Sequence, residues 1–305
     1  TEHVMRLGVA ATPDVAIPTL DWLLQSEHSL ELVITQPDKP AGRGRTLSQS
    51  IVGDWAVAHG ISLFKPSSPD DLIGKIEDLD LILTIGYGVL LPERILSLPK
   101  HGFLNLHFSL LPAYRGAAPA QRALQNGEVK TGVSVFQLDK GMDTGPIYSQ
   151  ATIDIQPSWR SVELLNELAK VGVQSVSEAL QLVKQGQTPT IQSGNSSIAP
   201  KISKAEAKID FTTSALQVVN AIRAFTYEPG AWTTWKGEPF KITSARLASE
   251  HNFPTGTLAT IEGSVFVGTK DGAVEILTVI PSGKKEMTAS EWARGARLSG
   301  GELLG

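Results

Sequence analysis

Three polar residues of this 305-residue chain have side chains suited to moving a proton or holding a reacting carbonyl oxygen: Asn105, His107 and Asp143. Residues 103–108 predict a strand on which Asn105 and His107 point to the same face. The strand is followed by SLLPAYRGAAP, a stiff run that leads into a helix near Pro119. Taken alone, an Asn-x-His pair also fits a hydrogen-bonded polar core, so both interpretations stand at this point.

Asp143 belongs to the run DKGMDTG, which places two acids and two glycines within seven residues. Glycines permit a wrapped loop, and an acid inside such a loop is poorly placed for plain solvation; a simple Asp-x-Gly turn is the alternative. The chain has no cysteine, and it contains no zinc-binding spacing, nucleophile elbow or P-loop. We therefore expect a metal-free Asn, His and Asp set.

Such a set suits the transfer of an acyl group to an amine. An amide N–H can hold the carbonyl oxygen as it becomes negative, which is typically worth ~10²–10³ in rate. An imidazole can donate to that oxygen or carry the proton of the amine, and a nearby carboxylate favours the imidazolium. No protein nucleophile is needed, because the incoming amine is the nucleophile.

The N-terminal part of the chain alternates strands and helices, which predicts an α/β fold with a Rossmann-like, mostly parallel sheet. The first βα turn, ATPD, lacks the G-x-G-x-x-G dinucleotide pattern. Predicted strands cover residues 6–11, 30–35, 62–64, 81–85, 103–108, 132–138 and 147–155. Predicted helices cover residues 15–24, 51–59, 70–79, 91–98 and 161–184, besides the one that begins near 119.

The C-terminal part has short strands separated by turn signals, which predict a small β-barrel of OB-like type. Before it lies a stretch with few large apolar residues and several lysines, predicted to be a surface linker. We expect a catalytic domain at 1–187, a basic linker at 188–208 and the barrel domain at 209–305. Predicted elements of the last domain are helices at 214–225 and 288–294 and strands at 232–235, 239–247, 256–261, 264–269 and 273–280.

Two further loops follow predicted strand ends, where open α/β sheets bind ligands. Residues 36–50 are too long for a simple connection and carry Lys39, Arg43 and Arg45 against one acid. They form either a solvated loop or a mobile basic loop for a phosphate-rich partner. The strand at 81–85 ends in Gly86-Tyr87-Gly88, which either lets a flat ligand approach the backbone or makes a tight turn.

Bulk properties restrict the partners. The net charge is −4, whereas proteins that grip nucleic acid by bulk charge are usually basic, so any RNA binding must use local patches and DNA is not expected as a partner. We expect no membrane association, since no apolar run has membrane-spanning length. The N-terminus has no signal pattern, and a start at Met5 would make residues 1–4 an added segment. The lack of cysteine fits a cytoplasmic location.

The run NLHFSLLPAYRGAAP followed by DKGMDTG resembles the signature of the 10-formyltetrahydrofolate-dependent formyltransferases. Within that family, TQPDKPAGRGR is similar to the substrate loop of the members that act on methionyl-tRNA, and the predicted barrel is similar to their second domain. The resemblance covers essentially the whole chain. The chain departs from the usual family sequence at Ala11, Gly86, Phe108 and residues 226–231, none of which is a proposed catalytic position.

The resemblance implies roles for individual residues. It places catalysis on Asn105, His107 and Asp143 and implies no metal. It implies that 10-formyltetrahydrofolate is the formyl donor and that the amine of methionine on initiator tRNA is the acceptor. Tetrahydrofolate would be released, and the formylated tRNA would be used in translation initiation. The implied folate pocket consists of Tyr87, Gly88, Ser109, Leu110, Leu111, Pro112, Asp139 and Gly141. The implied tRNA contacts are Arg43, Lys201, Lys204 and Lys208.

Three other interpretations remain. A formyltransferase for an amino sugar would share the three catalytic groups but would not require the basic loop and the barrel. A non-catalytic RNA-binding module would give the Asn, His and Asp set no use. Hydrolysis of the formyl donor, with water replacing the amine, would use the same three groups.

Overall fold

A computed structural model of the chain describes residues 4–305, so residues 1–3, including most of the segment before Met5, lie outside the described residues. The described chain divides into two compact units, which are treated separately below. The first comprises the described residues up to Ala117 together with Thr131–Ile153 and Leu165–Ile198. The second comprises Ala118–Lys130, Asp154–Leu164 and Ala199–Gly305.

The first unit is built on a seven-stranded sheet, and the predicted Rossmann-like α/β fold is confirmed. In chain order its strands and a separate hairpin are β1 (Arg6–Ala11), β2 (Ser29–Ile34), β3 (Lys39–Ala41), β4 (Thr46–Ser48), β5 (Leu63–Phe64), β6 (Leu81–Ile85), β7 (Phe103–His107), β8 (Lys130–Gln137) and β9 (Ile147–Asp154). The sheet order is β5-β2-β1-β6-β7-β8-β9, with β3 and β4 paired only to each other. Pairing is parallel from β5 to β7 and antiparallel between β7 and β8.

Central strands of this sheet are buried because both of their faces are covered. Every residue of β6 is buried, and a cluster on one face joins Ala10, Ile34, Ile82 and Phe103. The helices of this part of the chain are α1 (Ile17–Gln25), α2 (Ile51–Ala58), α3 (Glu93–Leu96), α4 (Pro119–Gln125) and α5 (Ser161–Lys184). Of these, α4 and the first turn of α5, residues 161–164, belong to the second unit.

Two predicted elements differ in the structure. The helix predicted over 70–79 is wrong: a 3-10 turn at Pro69–Leu72 is followed by turns, because Gly74 adopts φ 82° and its N–H is taken by the Glu77 side chain. The predicted loop at 36–50 contains the β3–β4 hairpin. All six of its paired residues are exposed, so the hairpin leaves no hydrophobic pattern in the sequence.

The second unit contains a six-stranded antiparallel sheet, a half-barrel, which agrees with the expected small β-barrel architecture. Its further elements are α6 (Ala215–Phe225), β10 (Trp232–Trp235), β11 (Glu238–Leu247), β12 (Leu258–Ile261), β13 (Ser264–Gly268), β14 (Ala273–Pro281), β15 (Met287–Thr288) and α7 (Ala289–Ala296). The sheet order is β10-β11-β14-β13-β12, with β15 beside β14. Trp292 of α7 packs on the sheet, 4.6 Å from the Phe240 ring and 5.3 Å from the Trp235 ring. Across residues 4–305, no helix is both long enough and apolar enough to cross a bilayer.

Candidate active site

Asn105 is held by the neighbouring parallel strand. The register of β6 and β7 pairs Thr84 with Asn105, and the Asn105 amide donates to the Thr84 hydroxyl over 2.7 Å. That hydroxyl donates in turn to the Leu104 carbonyl over 3.1 Å, so it must accept from the amide nitrogen. The half-buried amide therefore has a fixed orientation, and its second N–H and its oxygen bond to no other described residue.

His107 stands at the end of β7, buried to 7% exposure. Its Nε2 lies 2.8 Å from the Tyr114 carbonyl oxygen, and since a carbonyl only accepts, Nε2 carries a proton. The edge of the Phe136 ring meets the imidazole at 6.3 Å between centroids. Burial lowers the pKa of His107 below its ordinary value of 6.5, against the opposing influence of Asp143 and of the Tyr114 hydrogen bond. The imidazole is therefore neutral at pH 7, with Nδ1 as its proton-accepting atom.

Asp143 faces that accepting atom. Its Oδ2 lies 3.7 Å from His107 Nδ1 and accepts a 2.7 Å hydrogen bond from the Gly116 N–H. Asp143 has φ 55°, a left-handed conformation that Asp adopts more readily than most residues. Asp143 is thus brought to the His107 imidazole, and Asn105 lies on the same strand two positions before His107.

The run after β7 forms a wall whose polar groups bond mostly to each other. The Ser109 hydroxyl donates to the Ala113 carbonyl over 2.6 Å, and the Ser134 hydroxyl donates to the Ser109 carbonyl over 2.7 Å. The Leu111 N–H donates to the Ser134 hydroxyl, and the Leu111 carbonyl accepts from the Gln150 amide at 3.1 Å. Ser109 and Leu111 therefore shape this wall, whereas Leu110 and Pro112 are half-buried beside it.

Tyr87 and Gly88 lie at the carboxyl end of β6, beside the end of β7 that carries the site. The Tyr87 carbonyl accepts from the Gln36 amide over 2.7 Å, and burial raises the pKa of the Tyr87 phenol to about 12. Gly88 has φ 74°, and a Cβ there would lie 2.9 Å from the Gln36 amide nitrogen. The positive φ favours glycine at this exposed turn, and a side chain there would displace the Gln36 amide.

Asp139 and Gly141 shape the first half of the loop that carries Asp143. Asp139 Oδ1 accepts from the Gly141 N–H at 2.9 Å and from the Thr144 hydroxyl at 2.7 Å. A Cβ on Gly141 would lie 2.1 Å from that hydroxyl oxygen, so a side chain would displace it. The absence of a side chain at Gly141 therefore leaves room for the Thr144 hydroxyl to bond Asp139.

The basic residues predicted to face tRNA are all exposed. Arg43 is exposed in the turn of the β3–β4 hairpin and makes no ion pair with another described residue. Lys201, Lys204 and Lys208 are exposed residues of the second unit, and Lys208 Nζ lies 5.5 Å from the Trp232 ring centroid. Within residues 4–305 no group of three His, Asp or Glu side chains could hold a metal ion.

Three supporting residues were missed from the sequence: Thr84, Gly116 and Gln192. Gln192 donates to the carbonyls of Asp143 and Gly145, each over 2.8 Å. Thr84 becomes a neighbour of Asn105 only through the register of two strands, and Gly116 meets Asp143 only through loop folding. No local sequence signal marks Gln192, which lies 49 residues beyond Asp143.

The arrangement offers three functions within one site: a free amide N–H, a neutral proton acceptor and a carboxylate beside it. The first can stabilise a developing oxyanion, the second can accept a proton from an amine, and the third can stabilise the cation so formed. The described residues near these groups include no serine or threonine poised against His107 as a nucleophile. The geometry suits acyl transfer directly to an amine.

Comparison with known proteins agrees with this chemistry. The family profile described as formyl transferase matches residues 6–180, and that described as formyl transferase, C-terminal domain, matches residues 201–297. The methionyl-tRNA formyltransferase of Salinispora tropica is 41% identical over 307 residues, covering 98% of this chain and 100% of the relative. That of Streptomyces coelicolor is 41% identical over 309 residues, covering 99% and 100%.

Solved structures show the same fold at lower identity. The methionyl-tRNA formyltransferase from Clostridium thermocellum has a TM-score of 0.58 and 16% identity, covering 90% of this chain and 99% of that one. WlaRD, a sugar 3N-formyl transferase, has a TM-score of 0.67 and 20% identity, covering 93% and 100%. HypX from Aquifex aeolicus, solved in complex with tetrahydrofolic acid, has a TM-score of 0.69 and 19% identity. The comparison covers 95% of this chain but 47% of HypX, so the chain matches about half of that protein.

The two profiles together extend over both units, and the relatives align with nearly the whole chain. The chain belongs to the formyltransferase family.

Proposed function

We propose that this protein transfers the formyl group of 10-formyltetrahydrofolate to the amino group of methionine carried by initiator tRNA. The observation that carries the proposal is the convergence of Asn105, His107 and Asp143, with His107 Nδ1 3.7 Å from Asp143 Oδ2. The acceptor is inferred from relatives that are 41% identical over nearly the full chain and named methionyl-tRNA formyltransferases.

The reaction exchanges one carbon–nitrogen bond for another. The amine nitrogen attacks the formyl carbon, a new C–N bond forms, and the bond between the formyl carbon and N10 of the folate breaks. The proton lost by the amine ends on N10, so the charge balances. The free N–H of Asn105 holds the carbonyl oxygen while it carries negative charge, a contribution typically of ~10²–10³ in rate.

His107 carries the proton. Because Nε2 is committed to the Tyr114 carbonyl, Nδ1 accepts the proton as the amine nitrogen becomes positive. The lowered pKa of His107 keeps the ring neutral, and therefore able to accept, near pH 7. Asp143 then stabilises the imidazolium until the proton passes to the leaving nitrogen.

The residues present fit a folate. Tyr87 and Gly88 form a turn at the end of β6, beside the end of β7 that carries His107, and Asp139 and Gly141 shape the first half of the loop that carries Asp143. Leu110 and Pro112 add apolar surface, and Ser109 and Leu111 keep that wall in shape through the Ser134 hydroxyl. The folate supplies the activated formyl group; the residues bind and orient it.

We assign tRNA binding to exposed basic side chains. Arg43 is exposed at the tip of a hairpin whose base is held by the Lys65–Asp38 ion pair at 2.7 Å, so its side chain is accessible to a large partner. Lys201, Lys204 and Lys208 are a second basic set. With a net charge of −4, binding must depend on these local groups. The proposal divides the chain into a catalytic part at 1–187, a basic linker at 188–208 and a tRNA-binding part at 209–305, acting in the cytoplasm, where initiator tRNA is charged.

The test is a competition between acceptors. 10-Formyltetrahydrofolate labelled in the formyl carbon is supplied together with methionyl initiator tRNA, an amino-sugar nucleotide and water. The proposal expects the label on the methionine amine, with formation of formate slower by orders of magnitude. Label found mainly on the sugar amine or in formate would overturn the assignment of the acceptor. If that other reaction were lost in His107→Ala, the result would still identify the active site.

A further inference from the structure

The segment at residues 190–198 runs across the candidate active site, although it lies between the two family-profile matches, which end at 180 and resume at 201. The segment belongs to the first unit and makes two isolated bridges within it, antiparallel from Thr190 to Ile147 and parallel from Ile198 to Arg115. Its composition predicts a surface linker, yet one end is bonded to the start of β9 and the other to the loop after β7.

Gln192 is the centre of these contacts. Its Oε1 accepts from the Arg115 guanidinium, at 2.8 Å from Nη2 and 3.3 Å from Nε. Its Nε2 donates to the carbonyl of Asp143 and to that of Gly145, each over 2.8 Å. Both donor hydrogens and both acceptor positions of the amide are therefore used, and all of its partners are in the first unit.

The same segment holds both partners of the His107 ring. Gln192 fixes the backbone on either side of the Asp143–Gly145 turn and so aims the Asp143 carboxylate at Nδ1. The Ser197 hydroxyl accepts from the Tyr114 N–H at 2.8 Å, and the Ser197 carbonyl accepts from the Arg115 N–H at 2.9 Å. These bonds hold the Tyr114 carbonyl against Nε2 of His107. Arg115 joins the two halves, because its backbone bonds to Ser197 and its side chain to Gln192.

We propose that Gln192 is a positioning residue for the His107–Asp143 pair, and that residues 190–198 are a clamp on the active site. This inference rests on the proposed formyl transfer. Gln192 touches no reacting atom; it acts by holding the loop that carries Asp143 and the guanidinium of Arg115. The charged groups around the imidazole in this arrangement are Asp143 directly and Arg115 through Gln192.

The first test compares turnover in Gln192→Ala with the matched control Gln187→Ala. Gln187 is exposed, five residues earlier in the chain, and its side chain bonds to no described residue. We expect kcat for formyl transfer to fall by about 10- to 100-fold in Gln192→Ala, because a small misplacement of a catalytic group typically causes a loss of that size. The KM for tRNA and the folate affinity should stay within about threefold of the control, since neither ligand is held by Gln192. Equal kcat in the two variants would overturn the inference.

The second test reads the site without turnover. Gln192→Met removes both donors to the loop without adding a charge, so the Asp143 carboxylate is no longer held near Nδ1 and the pKa of the His107 imidazole should fall relative to the unsubstituted protein. The pKa is followed by NMR of the histidine rings, assigned with His107→Asn, and Gln187→Met is the matched control. An unchanged His107 pKa would contradict the clamp. If Gln192→Ala does not fold, Gln192→Met, which keeps the length of the side chain without its four bonds, replaces it.

The two tests separate the inference from the proposed function. Absence of tRNA formylation by the unsubstituted protein would overturn the function while leaving the pKa comparison valid. Formylation by the unsubstituted protein together with full activity of Gln192→Ala would overturn only the positioning role.

Discussion

Asp143→Asn isolates the charge of the carboxylate from its place in the fold. The new amide oxygen can still accept from the Gly116 N–H, which now bonds Oδ2 at 2.7 Å. Asn also tolerates the φ of 55° found at this position. The variant should therefore fold with the loop in place and lose only the negative charge that faces His107 Nδ1 at 3.7 Å.

The size of the loss follows from that distance. Two unit charges 3.7 Å apart attract by about 4 kcal/mol at an effective dielectric constant of about 20. If the imidazolium were fully formed in the transition state, losing this attraction would slow the reaction by about 1,000-fold. The Asp143 side chain is 18% exposed, so water replaces part of the interaction. We therefore expect kcat to fall by about 10- to 1,000-fold, with the upper limit set by full proton transfer.

Single-turnover formylation of methionyl-tRNA at saturating folate measures this effect without interference from product release. The control is Asp154→Asn, an acidic residue with 69% side-chain exposure whose ion pair with Lys130 lies on the surface. The pKa of His107, followed by NMR, should fall further in Asp143→Asn, because the group that raises it has been removed. A single-turnover rate within about twofold of the control, at an imidazole pKa that does not fall, would refute the proton-transfer role of the pair.

Three further predictions concern other parts of the site. His107→Ala should lower kcat by about 10²–10⁴ while leaving folate affinity, measured by fluorescence titration, nearly unchanged; parental turnover would remove His107 from the mechanism. Arg43→Ala should raise the KM for tRNA and flatten its salt dependence, whereas an equal loss of folate affinity would place Arg43 in the folate pocket instead. Because the pKa of His107 is lowered in the folded protein, the imidazole is protonated at a higher pH in the unfolded chain than in the folded one. The free energy of unfolding should therefore decrease as the pH falls below about 6.5 towards the folded-state pKa. Chemical denaturation between pH 5 and 8 should show a smaller decrease in His107→Asn, and an identical profile in both proteins would contradict the lowered pKa.

Local patterns in the sequence were sufficient to predict the elements that carry the catalytic groups. Alternation over residues 103–108 predicts β7, and Asn105 and His107 indeed share one face because side chains alternate along a strand. The buried apolar run of β6 and the glycines after it likewise predict the strand and its turn. In each case the property that fixes the structure, periodicity or a positive φ, is encoded within a few residues.

The supporting contacts were not predictable, because they depend on register and loop folding. Thr84 supports Asn105, 21 positions later in the sequence, only through the parallel pairing of β6 with β7. The β3–β4 hairpin leaves no pattern, since none of its paired residues is buried. The helix predicted at 70–79 fails for the opposite reason: its apolar spacing is suitable, but the φ of 82° at Gly74 ends the turn.

The geometry of His107 shows that part of the predicted linker also contributes to the active site. The ring is fixed at Nε2 by the Tyr114 carbonyl and faces Asp143 at Nδ1, and both partners are held by polar bonds from Ser197 and Gln192. A boundary at residue 187 follows from the drop in large apolar residues, because composition detects contributions to a core. Residues 190–198 contribute hydrogen bonds to the active site instead. A segment that contributes little to the core can thus set the orientation of the catalytic pair, and its role is visible only from its bonds.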